Sequence, residues 1–182
     1  YSVVLDGSNW GNLHDVVGTP DGGSWSCGHF RGTVDMDPDP AKRKAIESGL
    51  SPVAETEISN RITEGRDRGL IKVTGETTQA LNESEVAFIC VGTPSRADGG
   101  IDLSTVRKVT KEIATALPPI SEKIGLVFRS TMIPGSMETV VHPELGLHPR
   151  TAYYPEFMRE GSAWEDWLRP PKIVIGSKDA SI

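Results

Sequence analysis

The chain has 182 residues, with 19 Lys and Arg against 25 Asp and Glu and a formal charge of −6, a length that suits one domain with a sizeable buried core. The acidic balance argues against a general nucleic-acid or anionic-membrane surface, so a phosphate-bearing ligand would need local donors. The longest apolar run, Val86 to Val91, is far short of the roughly 18 to 20 residues of a membrane span; with no signal-peptide pattern and two cysteines, Cys27 and Cys90, that form neither a disulfide framework nor a zinc signature, the expected compartment is the cytoplasm.

In chain order, Tyr1 to Leu5 is a candidate strand, whereas Asp6 to Cys27 is rich in Gly, Ser and Asp and carries no helical apolar stripe. Gly32 to Asp35 reads as a strand end. Asp39 is placed to cap a helix with Pro40 at its first position, turning Ala41, Ala45 and Ile46 inward and stopping at Gly49. A second helix over Glu55 to Arg68 buries Ile58 and Ile62. Leu70 to Thr74 is β-like, and a short helical stretch follows with Ala80 and Leu81 inward. The continuous apolar run Val86 to Val91 suits a central parallel strand covered on both faces. Leu103 to Leu117 has apolar residues at three- and four-residue steps, with Asp102 placed as cap and Pro118 and Pro119 as the stop. Gly125 to Arg129 is another strand, Ser136 to His142 a short helix ending before Pro143, and Thr151 to Tyr154 and Lys172 to Ile175 are two further β-like runs. Strands alternating with helices imply an α/β fold, a Rossmann-like doubly wound parallel sheet with an irregular N-terminal segment.

Ligands of such sheets sit beyond the carboxyl ends of the strands, and four places there carry polar chemistry. Asp35 ends a strand where a dinucleotide fold uses a carboxylate to accept from ribose hydroxyls; a turn or cap carboxylate is the plainer reading. Gly92-Thr93-Pro94 combines close backbone approach, a hydroxyl and a rigid exit. Arg129-Ser130-Thr131 precedes Pro134-Gly135. Tyr154 to Gly161 is a dense run of charge flanked by aromatics, which alone would read as a solvated loop with an internal salt bridge.

Together, Phe88-Ile89-Cys90-Val91-Gly92-Thr93-Pro94, Arg129-Ser130-Thr131 with Pro134-Gly135, and Pro155-Glu156-Phe157-Met158-Arg159-Glu160-Gly161-Ser162-Ala163 resemble the UDP-glucose/GDP-mannose dehydrogenase family. Gly28-His29, Val34-Asp35, Ser51-Pro52 and Glu55 fit its earlier landmarks. The resemblance implies residues 28–182 as an NAD-binding Rossmann-like domain and residues 1–27 as a divergent segment, with the family's central and C-terminal domains outside the chain. A start at Tyr1 and a stop at Ile182 fit the same expectation of a piece of something longer. The implied activity is NAD-dependent oxidation of a nucleotide sugar, of UDP-glucose or GDP-mannose type, at C6 from alcohol to carboxylate in two hydride transfers, with a Cys nucleophile holding the intermediate. Pro134-Gly135 and its preceding triplet lean toward GDP-mannose. Asp35 matches the ribose-binding acid, and Gly92, Thr93 and Pro94 the cofactor loop. Thr131 matches the Thr of the second loop, and Glu156 the Glu assigned to water activation or proton transfer. Phe157, Met158, Arg159 and Glu160 lie along the sugar-nucleotide loop. Family members are usually homo-oligomeric through regions this chain does not include.

The match departs from the family in four places. The glycine-rich pyrophosphate turn is unrecognisable: with Gly18 as its third glycine, the first two places fall at Leu13 and Asp15. Thr19 to Cys27 stands where an apolar helix belongs, so we read Tyr1 to about Cys27 as divergent or corrupted sequence, for example from a reading-frame error; an intact, confirmed frame would sink that reading. The cofactor-contacting Lys expected five residues after Asp35 meets Pro40, so Lys42 takes the part through a two-residue insertion, and counting back from Ser51-Pro52 would instead make Asp37 the acid. The nucleophilic Cys matches neither Cys90, in a buried strand, nor Cys27. Hence the chain alone is expected to be inactive, and a non-catalytic nucleotide-binding remnant is the alternative. His14, His29, His142 and His148 lack metal-ligand spacing, Lys42-Arg43-Lys44 reads as a solvated helix face, and Trp164 and Trp167 as packing.

Overall fold

The apolar run beginning at Val86 becomes a strand whose side chains alternate between two separately packed faces, and that alternation organises the domain. The computed structural model describes residues 2–5, 14–17, 33–36, 40–51, 56–82, 84, 86–117, 124–146, 150–159 and 161–178. In chain order the elements are β1 (Ser2–Leu5), β2 (His14–Val17), β3 (Thr33–Met36), α1 (Pro40–Glu47), α2 (Thr56–Asp67), β4 (Ile71–Thr74), α3 (Thr77–Asn82), β5 (Val86–Ile89) and α4 (Ser104–Ala116). They continue with β6 (Gly125–Phe128), a π-helical turn (Met137–Val141), α5 (His142–Leu145), β7 (Thr151–Tyr153), α6 (Ala163–Leu168) and β8 (Gly176–Ser177).

Strands β5, β6 and β7 are parallel, with Ile89 opposite Phe128 and Phe128 opposite Tyr153, while β8 adds an antiparallel edge to β7. β3 and β4 form a second parallel pair in which Asp35 faces Val73. On one face of the main sheet, Phe88, Cys90, Val127 and Ala152 pack with Ile46 of α1, Ile58 and Ile62 of α2 and Ala163 of α6. On the other, Ala87, Ile89, Leu126 and Phe128 pack with Val106, Val109 and Ile113 of α4 and with Val140 and Val141 of the π turn. Helices on both faces of a parallel sheet are what the near-continuous apolar strands require. The mixed, largely parallel sheet is Rossmann-like.

Most helix boundaries follow from local chemistry. At the end of α1, Gly49 N–H donates to the Ile46 carbonyl at 2.8 Å and Leu50 N–H to the Ala45 carbonyl at 2.8 Å. This crossed pair needs a left-handed residue, and Gly49 supplies it at φ 80°,. Asp102 accepts the Ser104 N–H at 2.8 Å, serving the first turn of α4,. Arg107 and Lys111 of α4 reach Glu144 of α5 at 2.6 and 3.7 Å. Arg61 of α2 lies 5.0 Å from the ring centroid of Trp164 and so ties α2 to α6. Trp164 and Trp167 both pack against the core.

Three expectations change. The helix expected to stop before Pro143 runs on through it: His142 N–H bonds the Met137 carbonyl across a π turn and Pro143 sits in the first turn of α5. The wider turn removes the i−4 clash that bars Pro from a helix interior. Lys172 to Ile175 is not a strand. Pairing with β7 begins only at Gly176, and Ile173, Val174 and Ile175 are 61, 47 and 58% exposed. Within the segment expected to be irregular, His14–Val17 is a strand, paired antiparallel with the expected strand β1, Ser2 opposite Val17. Within Lys42-Arg43-Lys44, Lys44 is exposed but Arg43 is partly buried, its guanidinium close to Gly75 beyond β4. Thr19 to Cys27, His29, Asp37, Asp39 and Pro118 to Pro119 lie outside the described residues.

Candidate functional site

The carboxyl ends of β5, β6 and β7 are level. Arg129 N–H donates to the Ile89 carbonyl and Tyr154 N–H to the Phe128 carbonyl, each at 2.9 Å, so three polar loops leave one rim. Ser130 joins the first two: its Oγ accepts the Val91 N–H at 2.9 Å. Beyond this link Gly92 and Thr93 are partly buried and Pro94 exposed. The Pro94 carbonyl accepts the Asp102 N–H at 2.8 Å, which closes the excursion before α4. Thr131 is exposed, and Tyr153 Oη accepts the amide of the next residue, Met132, at 3.3 Å. The segment then turns at Pro134-Gly135, where Ser136 N–H reaches the Ile133 carbonyl at 3.1 Å. Gly135 at φ 87° is what a type II turn with Pro before it demands.

The third loop is pinned by a carboxylate absent from the sequence expectations. Asp166 of α6, 6% exposed, accepts from the Arg159 backbone at 2.8 Å and from its Nε and Nη2 at 3.0 and 2.7 Å. These donors hold the Asp166 carboxyl down at about 2,. Arg159 is therefore engaged within the chain. The spacing from Arg159 to Asp166 joins opposite charges across the start of a helix and was the available signal.

Glu156 lies two residues beyond Tyr154 and is half-buried. Burial pushes its carboxyl above the usual carboxylate range, while the charge of Arg129 acts in the opposite direction,. Phe157 and Met158 line a small, solvent-open cleft together with Arg129, Tyr154, Trp167 and Lys172. Arg129 is 3% exposed, and its guanidinium carbon lies 4.2 Å from the Tyr154 ring centroid and 5.8 Å from that of Trp167. Such stacking contributes about 2 kcal/mol when desolvated, against a cost of several kcal/mol for a buried, unpaired charge. The sequence signal for Arg129 was a charged residue directly following an all-apolar strand; its burial follows from the aromatics of β7 and α6, which no local pattern links to it.

Asp35 sits one residue before the end of β3, on the parallel pair with β4, and Lys42 lies in α1; the side chains of both, and Gly18 and Glu160 entirely, lie outside the described residues. Cys90 is a buried thiol outside any disulfide, 5% exposed.

The side chains of Thr93 and Thr131 have no hydrogen-bond partner among the described residues, and Gly92, partly buried, brings a backbone without a side chain to the same rim. Free hydroxyls and an accessible backbone at the carboxyl rim of a parallel sheet suit the ribose and amide groups of a dinucleotide. On this count the residues present fit NAD.

The layers, the level rim and this donor set define a Rossmann-type nucleotide-binding domain. Residues 17–182 match the model of the UDP-glucose/GDP-mannose dehydrogenase family, NAD binding domain, and the chain belongs to that family. It is 35% identical over 154 residues to a GDP-mannose 6-dehydrogenase of Pseudomonas aeruginosa, covering 80% of this chain and 35% of that protein. It is also 35% identical over 143 residues to a UDP-glucose 6-dehydrogenase of Rickettsia bellii, covering 78% of this chain and 32% of that protein. Among solved structures, a ternary complex of GDP-mannose dehydrogenase from Pseudomonas aeruginosa superposes with a TM-score of 0.78 at 35% identity, covering 81% of this chain and 36% of that one. A UDP-glucose dehydrogenase from Pyrobaculum islandicum gives 0.72 at 28%, covering 81% and 35%. The chain thus spans about a third of the length of these relatives. Among the described residues no helix is long and apolar enough to cross a membrane.

Proposed function

We propose that the chain is the NAD-binding part of a cytoplasmic nucleotide-sugar 6-dehydrogenase that oxidises the C6 alcohol of a GDP- or UDP-hexose to a carboxylate. The observation that carries this is the level rim of β5, β6 and β7, from which Gly92-Thr93-Pro94, Ser130-Thr131 and the Glu156 loop all emerge. GDP-mannose is the favoured substrate class, supported by the TM-score of 0.78 to the GDP-mannose dehydrogenase structure against 0.72 to the UDP-glucose dehydrogenase structure.

A bound NAD would supply the hydride acceptor, one molecule for each of the two hydrides removed. The chain's own groups hold and orient. Asp35 accepts from the ribose hydroxyls, with Gly18 at what remains of the phosphate turn and Lys42 beside the cofactor. The Gly92 backbone, Thr93 and Pro94 seat the nicotinamide half. Thr131 orders a water without bringing charge to it, and Glu156 takes a proton from that water. A carboxyl raised by burial is a better base at neutral pH than an exposed one, because its pKa lies nearer the working pH. Phe157, Met158, Arg159 and Glu160 line the path of the nucleotide sugar, and the bidentate hold of Asp166 on Arg159 fixes that path's backbone.

The test is calorimetric titration of the chain with NAD. Saturable heat, weakened about tenfold by Asp35→Asn as the loss of a charge-assisted acceptor implies, supports this reading. No heat at millimolar NAD overturns it and leaves the second reading, a non-catalytic remnant. That alternative is favoured by the antiparallel β1–β2 hairpin where a dinucleotide fold opens with a parallel strand and a glycine turn.

A further inference from the structure

The last residue before the Ser130 link carries a buried charge. Arg129 follows Val127 onto the face covered by α2 and α6, and it is 3% exposed. Neither its Nε nor its Nη1 has a hydrogen-bond partner among the described residues. Tyr154 and Trp167 flank the guanidinium at 4.2 and 5.8 Å. Aromatic faces hold a guanidinium by its plane and leave its in-plane N–H donors unused.

The carboxylate sharing the cleft does not fill the gap, because Asp166 spends both oxygens on Arg159. Glu156 feels the charge of Arg129 but forms no hydrogen bond with it. The cleft opens to solvent, and its enclosed part admits about one water-sized group, so an anion would enter by a single oxygen,. A second cation lines it: Lys172, whose Nζ lies 4.3 Å from the ring centroid of Phe157. A positively charged recess with aromatic walls and unused donors is built for a compact anion with several acceptor oxygens.

We propose that this cleft is an oxyanion-binding subsite in which Arg129 receives a carboxylate or phosphate group. The inference rests on the proposed function only for the source of that group: the carboxylate left at C6 by the oxidation, or a phosphate of the nucleotide sugar. Arg129 then does two things, engaging the ligand's negative charge and limiting the rise of the Glu156 carboxyl that burial causes.

The experiment is a titration of the ¹⁵N-labelled chain with inorganic phosphate and, separately, with glucuronate, reading the Arg129 Nε–H and Trp167 indole resonances, with chloride at matched ionic strength as control. A saturable shift of both resonances is expected. Arg129→Met should weaken the Trp167 response about tenfold or more, the usual range for losing a charged hydrogen bond, and Arg129→Lys should restore part of it. Saturation by phosphate alone assigns the subsite to a phosphate; saturation by glucuronate alone assigns it to the carboxylate; saturation by both supports the oxyanion class. No saturation by either, or shifts equal to those with chloride, overturns the proposal, and this wild-type arm decides even if Arg129→Met fails to fold. NAD binding without an oxyanion response removes the subsite and leaves the dehydrogenase reading, whereas an oxyanion response without NAD binding does the reverse.

Discussion

Two carboxylates within eleven positions of each other on the chain, Glu156 and Asp166, are driven in opposite directions by their surroundings. Asp166 titrates near 3.8 when unfolded and at about 2 when folded, because Arg159 donates to it. As pH falls, the unfolded chain takes up that proton first, so the pair's stabilisation is complete above about 3.8 and gone below about 2. Asp166→Asn should therefore lower the Tm at pH 7, with the gap to wild type closing as the pH falls through this window. Thermal melts followed by circular dichroism give the answer, and a gap independent of pH would remove the electrostatic account. Glu156 has the opposite sign. Its folded pKa is raised above 4.5 by burial, so its ionisation disfavours the native state at neutral pH. Glu156→Gln should raise the Tm at pH 7, and the gain should fade as the pH drops to 4.5 and below. The same substitution in the complete enzyme should abolish carboxylate formation, and a variant more stable yet inactive is the signature of a group kept for chemistry.

At the scale of elements, the sequence is legible wherever local pattern and tertiary contact agree. Ile58 and Ile62 lie on the buried face of α2, Val106, Val109 and Ile113 on that of α4, and the run from Val86 is a covered parallel strand, all as their periodicity implies. The failures have a common physical origin. Ile173 to Ile175 carries the same apolar signature as a true strand, and only the absence of a partner edge among the described residues separates the two. The π turn before Pro143 is a register skip set by packing of Val140 and Val141 against the sheet, and the sequence carries no local mark of it. Gly49 is a position where local chemistry alone decides. An alanine there must adopt φ 80° and meets the Arg66 guanidinium that serves the Ser48 carbonyl. Gly49→Ala should cost about 1–3 kcal/mol, measurable as a lower urea midpoint at unchanged slope.

For the molecule as a whole, the rim was legible because ligands of parallel sheets gather at strand ends, and the loops carrying Thr93, Thr131 and Glu156 leave the strand ends at which that rule and the family motifs put them. The supporting residues were not: Asp166 and Trp167 act across a helix start, and the burial of Arg129 depends on three elements at once. The chain alone should show no NADH production with GDP-mannose or UDP-glucose: it spans about a third of its relatives' length, and the cysteine among the described residues, Cys90, is sealed in the core at 5% exposure. Spectrophotometric assay of a clean preparation tests this, and any turnover abolished by Thr131→Val would refute it. Cys90→Ala should leave NAD binding unaltered, which the same calorimetry checks.

The short tether between Ser130 Oγ and the amide of Val91 makes the first two ligand loops mechanically one body. A dinucleotide pressing on one would tug the other, so occupancy at the Thr93 side should be reported by the hydroxyl side of Thr131 without any hinge between them. Severing the tether with Ser130→Ala would let each loop drift by itself, and the two halves of a bound coenzyme would then be gripped as strangers.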